Sequence, residues 1–293
     1  MTDALQTIMP KMPTAPKAAL PREACDAHTH VFGPFDRFPL MLPPAYPPPE
    51  APEARHLQMQ TTVGARHGVI VQPAPYYTDP RCLIDALKQS TGRLRGIAIA
   101  NPDVTDGVLH ELDTAGARGL RFVDMFDPSG NRFGGAVSAT LLPELAPRMK
   151  ALGWHAEFWA NIDHHLKVLP ELTKLGIPIM LDHMAGFDAA KGVAHADFQS
   201  LLHYLGEGKV HVKLSLCRRS ANYPRYDELK PFHDALVAAN PDNLMWGSDW
   251  PYVAMGDSAP DVGVMLDLFQ AWVPDASVRQ KILVDNPARL YRF

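Results

Sequence analysis

The segment Asp26-Ala27-His28-Thr29-His30 carries the residues of this chain that are best suited to chemistry. It lies in a short apolar run, and residues two apart in a strand point the same way, so His28 and His30 should project together with Asp26 behind them. Two imidazoles in one small volume are costly unless they hold a metal, bind an anion or transfer a proton. The structural alternative is a hydrogen-bonded pair of core histidines.

Ionisable and polar residues also stand at the carboxyl ends of the other apolar runs, namely Gln72, Asn101, Arg121, Asp124, Glu157, Asn161, Asp182, His183, Lys213, Ser215, Ser248 and Asp249. Three histidines and an aspartate from different strands could bind a divalent cation, because imidazole and carboxylate are good zinc or manganese ligands. They could equally act without metal, with imidazoles polarising a carbonyl oxygen while Asp249 takes a proton from water. Lys213 is expected to neutralise a buried carboxylate, and Asp26 to orient a histidine.

The elements that must position these residues follow from eight apolar runs, each too short and too rich in Val, Ile, Phe and Trp for a helix. The predicted strands span residues 25–32, 68–74, 96–101, 119–125, 154–161, 177–184, 210–216 and 244–250. Predicted helices lie between most of them, at residues 82–89, 106–115, 139–152, 164–175, 196–205, 227–239 and 262–272. Helix ends are predicted at Gly92, Gly116, Gly153, Gly176 and Gly206.

This alternation predicts an α/β fold in which eight parallel strands close into a (β/α)8 barrel with its chemistry at the carboxyl ends of the strands. No GxGxxG follows the first run, so an open dinucleotide-binding sheet lacks its main signature. Residues 1–22 contain four prolines and are expected to form an extended arm, with residues 23–293 as a single catalytic domain. The Pro-rich segment 39–52 is expected to be an ordered loop over the site.

The amino-acid composition indicates which classes of molecule this protein binds. The 28 basic and 32 acidic residues give a net charge of -4 without a basic run, which argues against nucleic acid and anionic membranes and favours small solutes. No stretch approaches the roughly 20 apolar residues that a membrane span needs. Three scattered cysteines are too few for a disulfide framework, so we expect a cytoplasmic protein, either a monomer or a small homo-oligomer.

Several motifs together resemble the amidohydrolase superfamily, and within it the branch of 2-pyrone-4,6-dicarboxylate lactonases and galactarolactone isomerases. The resemblance runs from about Cys25 to Tyr291. It rests on Asp26-Ala27-His28-Thr29-His30-Val31-Phe32-Gly33-Pro34, Val71-Gln72, Arg118-Gly119-Leu120-Arg121-Phe122, Leu181-Asp182-His183-Met184, Trp246-Gly247-Ser248-Asp249-Trp250-Pro251 and Asn286-Pro287-Ala288-Arg289-Leu290-Tyr291.

The resemblance implies a distorted (β/α)8 barrel that opens a lactone ester without a metal. It makes Asp249 the general base and places His28, His30 and His183 around the carbonyl oxygen. Residues assigned to substrate binding are Arg121, Arg132, Arg219 (with Arg218 as its competitor), Tyr46 and Gln72. An arginine suits a carboxylate because its planar fork bonds both oxygens. The alternative is one divalent metal at His28, His30, His183 and Asp249.

Two departures from the family pattern bear on the substrate. The segment Val212-Lys213-Leu214-Ser215-Leu216 has no histidine, which argues against a two-metal site, and Pro73-Ala74-Pro75-Tyr76-Tyr77 replaces small polar residues at the second strand. The leading hypothesis is hydrolysis of a small carboxylated lactone in sugar-acid or aromatic breakdown. The alternatives are a sugar-diacid lactone isomerase, in which a substrate hydroxyl attacks the ester, and a binding protein without catalysis.

Overall fold

The computed structural model describes residues 7–43, 46–126 and 129–293. Eight parallel strands pair in chain order. Asp249 N donates to His28 O, and His30 N donates to Trp250 O, so the segment after the last strand joins the first and the sheet forms a nearly closed barrel. The strands are β1 (Cys25–Thr29), β2 (His67–Val71), β3 (Leu94–Ala98), β4 (Ala117–Asp124), β5 (His155–Ala160), β6 (Ile179–Leu181), β7 (His211–Leu214) and β8 (Leu244–Trp246). The predicted (β/α)8 fold is confirmed.

Ten α-helices pack around the described barrel, and seven of them correspond to predicted segments. They are α1 (Glu53–Val63), α2 (Arg81–Gln89), α3 (Asp106–Ala115), α4 (Leu142–Ala151), α5 (Ile162–Leu172), α6 (Ala196–Gly206), α7 (Lys230–Ala239), α8 (Val262–Trp272), α9 (Ala276–Gln280) and α10 (Asn286–Tyr291). The sequence patterns missed α1, α9 and α10. Gly206 does not end α6 in the left-handed conformation as expected, because Gly208 takes it two residues later.

The buried interior of the barrel changes in character along its axis. Apolar side chains from alternate strand positions fill one part and pack with Tyr291 of α10, namely Cys25, Ala27, Val69, Val71, Ile97, Met180 and Met245. Beside Tyr291 lies a charged group, since its hydroxyl donates to Glu157 Oε1 over 2.9 Å. The interior of the barrel beneath the carboxyl ends of the strands therefore contains an apolar part and, next to it, an ionic part.

The described part of the N-terminal arm, residues 7–22, contains no helix and lies against the barrel. Thr14 N donates to Asp261 Oδ2 over 2.9 Å, and the Trp250 indole donates to Lys11 O over 3.2 Å. Asp261 also caps α8 by accepting from Gly263 N. The arm is thus tied both to α8 and to the residue that follows Asp249, while the domain boundary after residue 22 stays a prediction.

Among the described residues, no helix is both long and apolar enough to cross a membrane.

Candidate active site

The three histidines and the aspartate singled out in the sequence lie together at the carboxyl ends of β1, β6 and β8. His30 Nε2 is 3.2 Å and His28 Nε2 is 3.6 Å from Asp249 Oδ1. The ring centroids of His28 and His183 are 4.8 Å apart. All four side chains are almost fully buried. The strand ends therefore bring these groups into one cluster, as the barrel prediction required.

Two residues of this cluster have left-handed backbones. His183 has φ 49° and Asp249 has φ 69°, a conformation that costs a non-glycine residue of the order of 1 kcal/mol or more. Both stand immediately beyond a strand, and the Asp249 amide is held by the carbonyl of His28 over 2.8 Å. The turns aim both side chains back over the barrel mouth, where a continued strand would have carried the chain away from it.

Asp26 acts on the backbone of this cluster. Its Oδ1 accepts from Ser248 N over 2.9 Å and from His28 N over 3.3 Å, so it joins β1 to the segment after β8. The expectation that Asp26 orients an imidazole is therefore wrong in detail. The reason is a shift in the pairing register between Asp26 and Thr29, which breaks the simple alternation assumed for this strand.

His30 and Asp249 form a pair that lacks a hydrogen at their point of contact. His30 Nδ1 lies 2.7 Å from Val71 O, and a carbonyl can only accept, so Nδ1 carries the hydrogen and Nε2 presents a lone pair to Asp249. Burial lowers the pKa of His30 to about 4. Burial opposes the ionisation of Asp249, but Arg218 and the neighbouring histidines hold its pKa well below the usual range. Near neutral pH the pair can thus accept one proton.

Arg218 occupies the other oxygen of this aspartate. Its Nε donates to Asp249 Oδ2 over 2.5 Å, and its Nη1 donates to Val253 O over 2.8 Å. The thiol of Cys217 also lies 3.6 Å from Oδ2. With Oδ2 engaged, the Oδ1 atom faces the histidines as the proton acceptor of the carboxylate.

A pocket of about 140 Å³ opens beside this cluster, and its two sides differ. One side carries chemistry and comes from the ends of β1, β6, β7 and β8, as His30, His183, Arg218 and Asp249. The other side, here called the wall, comes from β4, from β5 and from the segments after β2 and β4, and consists of Pro73, Ala74, Arg121, Val123, Phe133 and Trp159. His28 lies behind the chemical side and does not line the pocket.

Arg121 is the charged group of the wall. Its guanidinium stacks over the Trp159 ring at 5.5 Å from the centroid, and its Nε is 3.9 Å from Asp182 Oδ2. Tyr46, from the Pro-rich segment, lines the same pocket, and burial raises its pKa to about 12, so its hydroxyl keeps a hydrogen to donate. A cation and a neutral donor therefore line the same pocket as Asp249.

Three residues predicted to bind substrate point elsewhere in this structure. The Gln72 amide donates to Tyr77 O and Asp79 O, Arg132 pairs with Asp124 at 3.1 Å, and Arg219 donates to Phe187 O. None of the three lines the pocket, whereas Arg218 does. Sequence reasoning could not separate Arg218 from Arg219, because adjacent residues in an irregular loop carry no periodicity. The wall residue Phe133 gave no sequence signal at all.

A buried ionic layer lies beneath the histidines. Lys213 Nζ is 2.5 Å from Glu157 Oε2, 3.3 Å from Asp182 Oδ1 and 3.1 Å from His28 Nδ1. Lys213 thus neutralises buried carboxylates, as expected from the sequence, and it also reaches the back of one active-site histidine.

Ligand atoms of His28, His30 and Asp249 lie within 4.8 Å of one another, as do those of His28, Asp182 and His183. Their residue types suit a divalent ion. Their neighbours do not, because Arg218 already binds Asp249 and an ammonium group, which has no lone pair, faces His28 Nδ1. The geometry therefore supports acid-base chemistry at Asp249 better than metal ligation.

Sequence comparison finds relatives that match almost the whole chain. The 4-sulfomuconolactone hydrolase of Rhizobium radiobacter is 37% identical, covering 96% of this chain and 94% of the relative. The 2-pyrone-4,6-dicarboxylate hydrolase of Comamonas testosteroni is 35% identical over 95% and 93% of the two chains. The D-galactarolactone isomerase of Agrobacterium fabrum is 26% identical over 96% and 94%.

Comparison of the fold with solved structures also finds a lactone hydrolase. A Pseudomonas putida crystal structure named as a 2-pyrone-4,6-dicarboxylic acid hydrolase superposes with a TM-score of 0.78 at 31% identity, covering 93% of this chain and 98% of the other. The family profile described as amidohydrolase matches residues 25–293, which is the whole barrel. Because this profile covers most of the sequence and two of the relatives exceed 30% identity, this chain belongs to the amidohydrolase family.

Proposed function

We propose that this protein hydrolyses the ring ester of a small carboxylated lactone, with Asp249 as the general base. The observation that carries the proposal is the contact between His30 Nε2 and Asp249 Oδ1, two unprotonated acceptors 3.2 Å apart at the edge of the pocket. A water molecule held there would find a base on one side and the wall that positions the lactone on the other.

The reaction follows from these positions. The water oxygen attacks the carbonyl carbon, and the proton that it loses passes to Asp249 Oδ1, where His30 Nε2 can share it. His183, buried and neutral, donates an N–H to the oxyanion, because burial holds its pKa well below the usual range. When the tetrahedral intermediate collapses, the ring C–O bond breaks and Asp249 returns the proton to the departing alkoxide. The product is an open-chain hydroxy acid.

Arg121 is the group that we propose for the substrate carboxylate. Its guanidinium is fixed against Trp159 and lines the same pocket as the base. The apolar remainder of the wall, including Phe133 and Pro73, would pack against a flat ring. The roles first assigned to Arg132, Arg219 and Gln72 would require these side chains to leave their present partners.

We also propose that the reaction needs no metal ion, since Arg218 and Lys213 supply positive charge where a metal would otherwise do so. The three cysteines are free and buried, which supports a reducing, cytoplasmic compartment. The lactone hydrolase names of the Rhizobium radiobacter and Comamonas testosteroni relatives support a role in aromatic breakdown, and the galactarolactone isomerase supports sugar-acid breakdown as the alternative. We propose that the protein acts as a monomer or a small homo-oligomer.

Internal ester transfer is the second candidate, because the galactarolactone isomerase covers the same length of chain. There a substrate hydroxyl replaces water as the nucleophile. Reaction in ¹⁸O-labelled water separates the two outcomes: hydrolysis places one solvent oxygen in the product, and isomerisation places none.

The direct test is Asp249→Asn with a panel of carboxylated lactones. We expect turnover to fall at least about 10³-fold while lactone binding persists, because the amide keeps the shape and loses the base. Asp257→Asn, in the exposed turn further along the same loop, is the matched control and should retain activity. An Asp249→Asn enzyme with wild-type turnover would refute the assignment.

A further inference from the structure

Lys213 and His28 make a contact whose chemistry fixes the position of one hydrogen. Lys213 Nζ lies 3.1 Å from His28 Nδ1, and both side chains are fully buried. An ammonium group has three hydrogens and no lone pair, so it can only donate. If His28 carried its hydrogen on Nδ1, two donors would face each other at 3.1 Å in a site without solvent.

The alternative is that His28 carries its hydrogen on Nδ1 and donates it to Asp182, but this hydrogen bond is not formed. Asp182 Oδ1 lies 3.2 Å from His28 Nδ1, but neither oxygen of Asp182 has a hydrogen-bond partner among the described residues. The ammonium group is 3.3 Å from this Oδ1, so it stands about equally close to the two acceptors. A cation shared between Nδ1 and the carboxylate removes the repulsion between their lone pairs.

Glu157 fixes the lysine from the opposite side. Its Oε2 accepts from Lys213 Nζ, while its Oε1 accepts from Tyr291 OH. The ammonium group is thus hydrogen-bonded to Glu157 and His28 and forms an ion pair with Asp182. These three contacts hold it against the imidazole.

We infer that Lys213 is a positioning residue that holds His28 in the tautomer with hydrogen on Nε2, and thereby presents an N–H to Asp249 Oδ1. His28 Nε2 has no hydrogen-bond partner in the described structure, and the nearest carboxylate oxygen, Asp249 Oδ1, lies 3.6 Å from it. His30 presents the opposite tautomer to the same atom, so Asp249 Oδ1 has a donor on one side and an acceptor on the other. The proton taken from water is directed to the His30 side.

The same tautomer removes His28 from any metal site, because an Nε2 that bears hydrogen has no lone pair for a cation. Lysine at this position therefore does two things: it orients the base through His28, and it makes the cluster of His28, His30 and Asp249 a poor chelator. The effect on turnover rests on the proposed function, whereas the tautomer and the metal affinity do not.

The first test is ¹⁵N NMR on the whole wild-type protein labelled at histidine, with the His28 signals assigned by their loss in His28→Gln. We expect a protonated Nε2 and an unprotonated Nδ1 for His28, and the reverse for His30. A hydrogen on His28 Nδ1 overturns the inference without bearing on which lactone is the substrate.

The second test is the charge-balanced double variant Lys213→Met with Glu157→Gln, compared with Glu157→Gln alone. Loss of the lysine should move the His28 hydrogen to Nδ1, lower kcat at least about 10-fold with little change in KM, and increase zinc retained after dialysis against zinc chloride. A double variant that keeps both the wild-type tautomer and the wild-type kcat contradicts the role of Lys213. If the variant does not fold, the wild-type NMR result decides the question.

Discussion

The two histidines of β1 differ in what each nitrogen can do, although they are only two residues apart. Val71 O fixes the hydrogen of His30 on Nδ1, and Lys213 faces the corresponding atom of His28. The contacts behind each ring therefore decide which face is a donor and which is an acceptor. A sequence motif shows only that both residues are histidines and does not indicate which ring nitrogen bears the hydrogen.

Arg121 gives a prediction at the same scale. Arg121→Met should raise KM for a carboxylated lactone about 10- to 100-fold, which corresponds to the roughly 1.5–3 kcal/mol of a hydrogen bond to a charged group. The value of kcat should change less, since in the described structure Asp249 pairs with Arg218 and the histidines and Arg121 forms no ion pair with it. Steady-state kinetics with one lactone measures both quantities.

Arg219→Met is the matched control for Arg121→Met. Arg219 donates to Phe187 O and does not line the pocket, so its loss should leave KM within a few-fold of wild type. The opposite pattern, a large effect at Arg219 and none at Arg121, would show that the loop after β7 rearranges around the substrate.

The sequence predicted the grouping of His28, His30, His183 and Asp249, because parallel strands in a barrel place all their carboxyl ends at one mouth. It could not predict the partners of the longer side chains. Arg132 is paired with Asp124, and the Gln72 amide bonds to the loop that follows it. Long polar side chains choose among several nearby acceptors, and only the folded loops determine which one is closest.

At the scale of elements, the arm and α8 support the loop that carries Asp249. Asp261 caps α8 through Gly263 N and also accepts from Thr14 N, and the arm reaches the indole of Trp250. One carboxylate thus joins a helix terminus to a segment almost 250 residues away in sequence. The extended arm was expected, but its docking site was not, because no periodicity relates it to α8.

Asp261→Ala should therefore cost more than an ordinary helix cap. We expect the free energy of unfolding to fall by about 1–2 kcal/mol from the lost cap, with a further loss from the freed arm, measured by denaturant titration. Limited proteolysis should also cut within residues 7–22 more rapidly.

Asp275→Ala is the control for the cap, because Asp275 caps α9 through Ser277 N and has no hydrogen bond to the described part of the arm, residues 7–22. Its cost should be smaller, and proteolysis of the arm should be unchanged. Equal effects of the two variants would mean that the arm contributes nothing to stability.

Helix α1 shows why a regular element escaped prediction. Its buried residues have helical spacing, but two of the four are polar, His56 and Gln60 beside Met59 and Val63. A search for apolar periodicity therefore sees only half of the stripe. The short helices α9 and α10 have five and six residues, too few to show a period at all.

At the scale of the whole molecule, folding buries several histidines in the neutral form, and this makes the stability depend on pH. Burial lowers the pKa of His165 and His56 to about 3 and that of His233 to about 4, from an ordinary 6.5. The unfolded chain takes up these protons below about pH 6.5, whereas the folded chain does not until well below pH 5. Stability must therefore fall as pH decreases through this interval.

We expect each such histidine to lower the free energy of unfolding by about 1.4 kcal/mol per pH unit between roughly pH 6 and pH 4. His165→Leu should make the decline shallower by this amount, as measured by denaturant titration at several pH values. His203→Leu, at an exposed position of α6, should leave the wild-type slope. Identical slopes in the two variants would contradict the explanation.

The separation of the pocket into a chemical side and a wall has a consequence for how new specificities arise. The groups that we propose for bond breaking come from the ends of β1, β6, β7 and β8, while the wall comes from β4, from β5 and from the loops after β2 and β4. Mutation can therefore reshape Pro73, Ala74 or Phe133 without disturbing the base. Duplicated copies of this gene could therefore diverge to accept different ring compounds while keeping the same reaction.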